Sequence, residues 1–488
     1  MANRSIAAHA VDARHLILLA CGLLLSPAAT LQAAESVQPF SVDRADYGAG
    51  TYVPPPLREG PAVFFVAPDG DDRNPGTLER PWASPIRAAT ALRDGQIAYL
   101  RGGTYPLTAR IMPQHSGVTL AAYPGETPVI DASGIATEGP SGITAGYGRD
   151  LGALFIHGVD RVTVAGLTVV ESRGTGISIC TSDGTTLIGN TTRGSFSSGI
   201  NTNSILHHGC KATDIRILRN TVLDATTLRL RSADYPAEAT EAPHEAISIM
   251  GADGFELAYN YIAQSAKEGF DIKETSRNGV VRHNLVEDIV RQCYYVDSWG
   301  GVLDNIELYG NVGRHCGFAG FALSTEEGER SQNIHFHHNL LYGNGGSGIY
   351  ISRFALDKPR QHLRIHHNTV DNNGHGKDGE WMRGGFALLT ANLTDAEIHE
   401  NIFSNNAGFQ SSVGNEYIGA EGLPGQNIVI RDNHLFGPQE PTSMHLAEML
   451  PCPGHAVTHG DPGFVDPTVG DYRLRPDSPA RGKGAYAD

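Results

Sequence analysis

The sequence predicts an all-β fold, a single parallel β-helix, and three observations carry that prediction. Nine asparagines recur at one place in a short apolar–polar phrase, Asn190, Asn220, Asn260, Asn284, Asn311, Asn339, Asn368, Asn401 and Asn433, at gaps of 30, 40, 24, 27, 28, 29, 33 and 32 residues. An alternating segment precedes each, such as Val280–His283 or Ile334–His337. A second apolar segment follows later in each period, usually opened by glycine, as in Gly176–Ile179, Gly269–Ile272, Gly320–Leu323 and Gly348–Ile351. Self-similarity at this period marks a repeat architecture, and alternation of period two makes each repeat a set of strands with one buried face. The region has no sustained helical period and no four-strand blade pattern of a propeller.

One such coil cannot bury its apolar face alone, whereas a stack can. Stacked coils bring the asparagines into register at a bend. There an Asn side chain satisfies backbone groups, tolerates the left-handed conformation and hydrogen-bonds to its neighbours. This role is structural, so no asparagine of the set is assigned chemistry. The 58 glycines suit tight corners between strands.

In chain order, residues 1–34 read as a signal peptide: Arg4 and Arg14, an apolar run from Leu16 to Leu25, then small residues with a cut near Ala33 or Ala34. The run is too short for a membrane span. Leu18-Leu19-Ala20-Cys21 has the outline of a lipoprotein cut, but the apolar run continues past Cys21. The expected protein is secreted or periplasmic. Residues 35–105 form a lead-in and cap, with a strand at Phe64–Val66, an Asp-rich turn, a short helix at Pro85–Leu92 opened by proline, and a strand at Ile97–Arg101. Residues 106–450 form the β-helix and 451–488 a closing segment.

The formal charge of −16 argues against a nucleic-acid partner, and no run of Lys and Arg opposes that. Beyond the signal lie Cys180, Cys210, Cys293, Cys316 and Cys452, an odd number. Cys293 and Cys316 fall on neighbouring coils and are placed to bridge. Most of the five are expected as buried small apolar side chains.

The phrase from Val66 through Pro68, Gly70, Asn74-Pro75-Gly76-Thr77 and Pro81 resembles the N-terminal cap of secreted right-handed β-helix proteins that act on polysaccharides. The closing phrase Asp461–Pro467 and Asp471–Ala480 resembles the end of the same group. The resemblance implies a right-handed solenoid with a short capping helix, and a polysaccharide or oligosaccharide as substrate. It does not choose the reaction, since one fold hosts many chemistries.

The second segments locate the chemistry. With Ile247/Ile249, Phe270/Ile272, Tyr294/Val296, Phe321/Leu323 and Ile349/Ile351 inward, the alternate residues face out. Asp271, Lys273, Tyr295, Asp297 and Tyr350 then share one outer face, in solvent. Glu245, Glu268, Glu274, Glu326, Glu327 and Arg353 lie at the strand ends. Two long excursions, roughly residues 224–243 and 372–384, insert on the same side and are expected to wall a groove. Trp299 beside Asp297, and Trp381 on the second wall, are placed as sugar-stacking platforms.

Two mechanisms follow, with β-elimination by a polysaccharide lyase as the expected function and hydrolysis as its alternative. Glu268-Gly-Phe-Asp271-Ile-Lys273 resembles the acidic–Lys phrase of the chondroitinase B and alginate lyase family, and the acidic phrase of a calcium-dependent pectate lyase family with a lysine base. This resemblance implies a lyase cleaving a uronic-acid polymer by β-elimination, with Glu245, Glu268 and Asp271 holding Ca²⁺ and Lys273 as base. Where the first family has an arginine on the next coil, this chain has Asp297. In the second, Tyr295–Trp299 followed by Phe321–Glu326 is similar to a β-helix xylosidase family. That implies hydrolysis by two carboxylates, Asp297 as nucleophile or base and Glu326 as acid, with Lys273 as a charge partner. Against the strand register Glu326 falls two residues late. Pro243-His244-Glu245 adds an alginate-type epimerase as a further alternative, with His244 at the mouth of the groove. A carbohydrate-binding solenoid without catalysis is the last. The histidines at 335, 337, 338, 366 and 367 have adjacent and alternate spacings without a clear ligand set, and read as surface or bend residues rather than a Zn²⁺ site.

Overall fold

In a computed structural model of the chain, residues 41–135, 151–231, 237–352, 354–355, 357–376, 383–390, 392–408, 411–413, 427–438 and 457–487 are described. Residues 1–34, read from sequence as a signal peptide, lie outside them, as do Cys452, Arg353 and Trp381. Three parallel sheets stack as a solenoid, with 15, 13 and 10 strands. Each coil gives one strand to each sheet. In the coil around Asn284 these are Arg277–Arg282, Leu285–Glu287 and Tyr294–Asp297. The expectation of two strands per coil missed the middle one. It spans only three residues directly after the asparagine, too short to display alternation. Among the described residues, no helix is long and apolar enough to cross a membrane.

All nine asparagines stack as one ladder. Asn284 illustrates the unit: its backbone N–H and its Nδ2 both donate to Asn311 Oδ1, each at 3.0 Å, and Nδ2 also donates to Leu257 O at 2.9 Å. The left-handed residue of the bend is not the asparagine. It is the residue before it, as at Arg219, Tyr259, His283, His338, His367, Glu400 and Asp432, with φ between 50° and 57°. The preceding residue turns the chain, and the asparagine side chain stitches successive turns. A second ladder of Asn344, Asn373 and Asn406 runs at the next bend.

The inward residues of all three sheets merge into one core running from Val66 to Leu435. The helix Pro85–Ala91 buries Ala88 and Ala89 in it. A second helix, Ile205–His208, was not anticipated; four residues carry no readable helical period. A separate apolar cluster covers the outer face of the middle sheet. There Leu285, Val312 and Leu340 meet Tyr47 of the lead-in and Phe464, Tyr472 and Ala485 of the closing segment.

Two disulfides link neighbouring coils, Cys180–Cys210 and Cys293–Cys316. The Cys293–Cys316 bridge matches its placement on neighbouring coils, whereas the expectation of unpaired apolar side chains fails for Cys180 and Cys210. Parallel stacking brings residues one coil apart to strand spacing, so separations of 30 and 23 residues become Cα distances of 4.8 and 5.7 Å. Non-reducing peptide mapping should recover both linkages. Reduction should lower unfolding stability by about 3–4 kcal/mol per bridge, the loop-closure value for such separations. Unchanged denaturation on reduction would contradict this.

Candidate active site

The third sheet carries the candidate residues on Ile247–Met250, Phe270–Lys273, Tyr294–Asp297, Phe321–Ser324 and Ile349–Ile351. Its register is that required by the alternation. Ser248, Asp271, Tyr295, Ala322 and Tyr350 form one outward row, and Met250, Lys273, Asp297 and Ser324 the next. These side chains leave the core but do not stand in solvent. Asp271 is 1 % exposed, Asp297 4 % and Lys273 7 %. They lie down against one another through charge pairing and are enclosed by the adjoining strand ends.

Lys273 Nζ lies 2.6 Å from Glu245 Oε2 and 3.1 Å from Asp271 Oδ2. Lys267 Nζ takes the other Glu245 oxygen at 3.4 Å, and Ser248 Oγ donates to Glu245 Oε2 at 2.8 Å. Arg291 Nε lies 3.0 Å from Glu268 Oε1, and its Nη1 3.2 Å from Glu241 on the long excursion 224–243. Sequence reading missed Lys267 and Arg291. Each precedes a strand of the third sheet rather than lying on it, so the alternation argument did not reach them.

The protonation pattern follows from burial and neighbours. Burial opposes the Lys273 charge, but Glu245, Asp271 and Asp297 overcome it and hold the ammonium well above the ordinary lysine range. Burial would raise Glu245, yet Lys273, Lys267 and His244 hold it well below the usual carboxylate value. Burial lifts Asp271 well above its ordinary value despite Lys273, with Glu245, Asp297 and Glu268 adding to the rise. Asp297 is lifted likewise, by burial first and then by the charge of Glu326. Burial also raises Glu268, against Arg291 and Lys267.

Glu326 is brought back to the site despite its late position. Tyr295, in the same outward row as Asp271, donates its hydroxyl to Glu326 Oε1 at 2.5 Å. A hydrogen bond reaching across one coil thus repairs the register offset. Asp297 lies two residues from Tyr295 on the same strand, on the same face. Its Oδ1 is buried and has no hydrogen-bond partner. At the rim, half-buried Trp299 donates Nε1 to Glu327 Oε2 at 2.8 Å, and its ring meets His207 edge-on at 5.8 Å. Glu274 turns away to the short helix, accepting from Ser204 Oγ and from the backbone N–H of Ile205. Tyr350 packs with Tyr295, Ala322 and Ala387 in an apolar cluster on the outer face. His244 stands half-buried beside Glu245.

The fit of the acidic set to calcium can be judged on its own atoms. Glu268 Oε2 and Asp271 Oδ1 are buried without hydrogen-bond partners, and oxygen donors suit the ion. Against that, both oxygens of Glu245 face ammonium groups and Glu268 faces Arg291. The three carboxylates are also not among the described groups that bring three ligand atoms within 4.8 Å of one another. As arranged, the set does not fit calcium, because internal cations already neutralise it.

Comparison with known proteins agrees with the architecture. A family model described as "Right handed beta helix region" matches residues 151–328 and 239–380. A second, "Pel9A-like, right handed beta helix region", matches residues 64–226. The chain folds as a parallel β-helix and matches right-handed β-helix family models between residues 64 and 380. This β-helix protein is 26 % identical over 462 residues to the uncharacterized protein YwoF of Bacillus subtilis, covering 86 % of this chain and 92 % of that one. A 75-residue stretch is 40 % identical to pectate lyase PEL9 of Emericella nidulans, 14 % of this chain and 18 % of the relative. Among solved structures, that of XylC with xylose superposes with a TM-score of 0.52 at 13 % identity, covering 82 % of this chain and 87 % of that one. At that identity the likeness concerns the fold alone.

Proposed function

We propose that this β-helix protein is an exported carbohydrate-active enzyme that hydrolyses glycosidic bonds at Asp297 and Glu326. The observation that carries the proposal is the pairing of these two carboxyl groups from adjacent coils. Tyr295 fixes one by a hydrogen bond, and burial together with its partner's charge keeps the other protonated. Cleavage of a glycoside by two carboxyls needs one of them to hold its proton at neutral pH, and the raised Asp297 supplies it. Asp297 gives its proton to the glycosidic oxygen. Glu326, as carboxylate, attacks the anomeric carbon or takes a proton from the attacking water. The net change is addition of one water across the bond. This reverses the roles expected from sequence. Lys273, opposite Asp297 in the ladder, stabilises the aspartate left behind. Two disulfides support export to an oxidising compartment.

The second reading is β-elimination on a uronate polymer. Lys267, Lys273 and Arg291 are the cations it would use, but each is already paired with Glu245, Asp271 or Glu268. It requires a base, and Lys273 is held protonated. The deciding experiment incubates the protein with neutral and uronate-containing polysaccharides and follows two signals. Hydrolysis releases reducing ends without the ultraviolet absorbance of an unsaturated uronate; elimination raises both together. Reducing ends alone are expected, with no loss of rate in chelator, since lysines already occupy Glu245. Growth of the ultraviolet band would sink the hydrolytic reading. Collapse of activity on calcium removal would restore Glu245, Glu268 and Asp271 as metal ligands. No product from any polymer would leave a binding solenoid.

A further inference from the structure

On the first sheet, away from the carboxylate pair, the strands Val302–Tyr309, Arg330–His337 and Arg360–His366 lie side by side. Leu308, Phe336 and Ile365 point into the core, so Glu307, His335, His337 and His366 stand on the outer face. Their donor atoms converge. One ligand atom from each of the three histidines lies within 4.8 Å of the others. His335 Nε2 lies 2.7 Å from His366 Nε2. Glu307 Oε1 lies 3.1 Å from His337 Nε2 and 3.5 Å from His335 Nδ1.

We propose that His335, His337 and His366 form a binding site for a transition-metal dication of the Zn²⁺ type, with a water as the fourth ligand and Glu307 beside the site as a partner for His335 Nδ1. Three imidazole nitrogens are a donor set such ions select, and a water completes the tetrahedron. Bonds of about 2.0–2.1 Å in that geometry separate neighbouring donors by about 3.3 Å; His335 Nε2 and His366 Nε2 stand 2.7 Å apart and all three donors lie within 4.8 Å, so small ring shifts bring them to that spacing. The proposal stands apart from the reaction assigned to the third sheet.

Simple ring stacking does not account for the arrangement. Tyr309, His337, His366 and His399 do stack in one column, with interplanar angles of 14°, 17° and 8°. Tyr309 shows that a phenol fills such a position equally well. His335 stands in the neighbouring row, in register with Glu307, yet turns a ring nitrogen to His366. His335 also stacks on His337 at 4.1 Å, but stacking alone does not require its Nε2 to point at His366 Nε2, whereas a shared ion does. Arg364, in register with His335, is directed to Glu397 at 4.0 Å. The adjacent group of His367, His399 and Glu400 already has a cation, Arg431, 4.0 Å from Glu400, which disfavours a second.

The test is calorimetric titration of the full chain with Zn²⁺, and with Co²⁺ to read coordination from its visible d–d bands. The variants are His335→Phe, His366→Phe and, as control, His399→Phe; phenylalanine keeps an aromatic ring but removes the nitrogens. One Zn²⁺ per chain and the intense bands of four-coordinate Co²⁺ are expected. Affinity should fall by more than about 100-fold in the first two variants and stay unchanged in the third. Thermal unfolding without metal should remain cooperative in all. Absence of stoichiometric binding to the unaltered chain, or binding that survives both His335→Phe and His366→Phe, would overturn the proposal.

Discussion

Asp297→Asn is expected to lower kcat for glycan cleavage by roughly 10²–10⁴-fold, the range for loss of a positioned proton donor, with the fold intact. The amide keeps the size of the carboxyl group and removes the transferable proton. Glu326→Gln should cost at least as much, because it removes the carboxylate itself. The pH profile separates the two roles. Asp297 acts while protonated, and its ionisation lies well above the ordinary carboxylate value because of burial and Glu326. Activity should therefore persist above the pH at which an ordinary aspartate ionises, then fall as Asp297 loses its proton. In Asp297→Asn the alkaline limb should vanish from the residual rate. Azide should restore turnover of Glu326→Ala if Glu326 attacks carbon directly. Product formation at the parent rate in both Asp297→Asn and Glu326→Gln would remove the assignment.

Asn339→Ala is expected to cost about 3–5 kcal/mol of unfolding free energy. The residue is fully buried in the middle of the ladder. Its Oδ1 accepts from Asn311 N and Nδ2, and its Nδ2 donates to Leu308 O, His337 O and Asn368 Oδ1. Truncation strands several of these groups inside, at about 1–3 kcal/mol for each buried group left unsatisfied, less whatever the coils recover by relaxing. Asn305→Ala is the control. Asn305 is exposed and donates to Asn278 at 2.8 Å, with φ 56°, so its loss should cost about 1 kcal/mol, mostly through the left-handed backbone. Chemical denaturation of the two variants measures the contrast. Equal midpoints would show that the ladder does not hold the coils together.

The solenoid was legible because its cause is periodic. The asparagine spacing, the alternation and the glycine-opened strands each repeat at every coil, and the inward–outward assignment from Ile247 to Ile351 matched the register throughout. The middle strand was hidden by its length. The left-handed residue before each asparagine was hidden by its variety, since arginine, tyrosine, histidine, glutamate and aspartate all occupy it. The second ladder was readable, because Asn344, Asn373 and Asn406 each follow a first-ladder asparagine by five residues. In the site, side chains on strands were placed correctly, whereas Lys267, Arg291 and the return of Glu326 through Tyr295 were not. Those depend on how long side chains pair across coils, which no one-dimensional pattern encodes. The enclosure of Asp271, Lys273 and Asp297 has the same origin.

The asparagine ladder also sets how such a molecule can change. Asp297 lies in the turn bounded by Asn284 and Asn311, and Glu326 in the turn bounded by Asn311 and Asn339. Each turn starts and finishes on the same amide handshake, so it behaves as a cartridge whose ends fit any neighbour. Recombination can therefore exchange one cartridge, and with it one half of the acid–base couple, while the rest of the stack closes over the join unaltered.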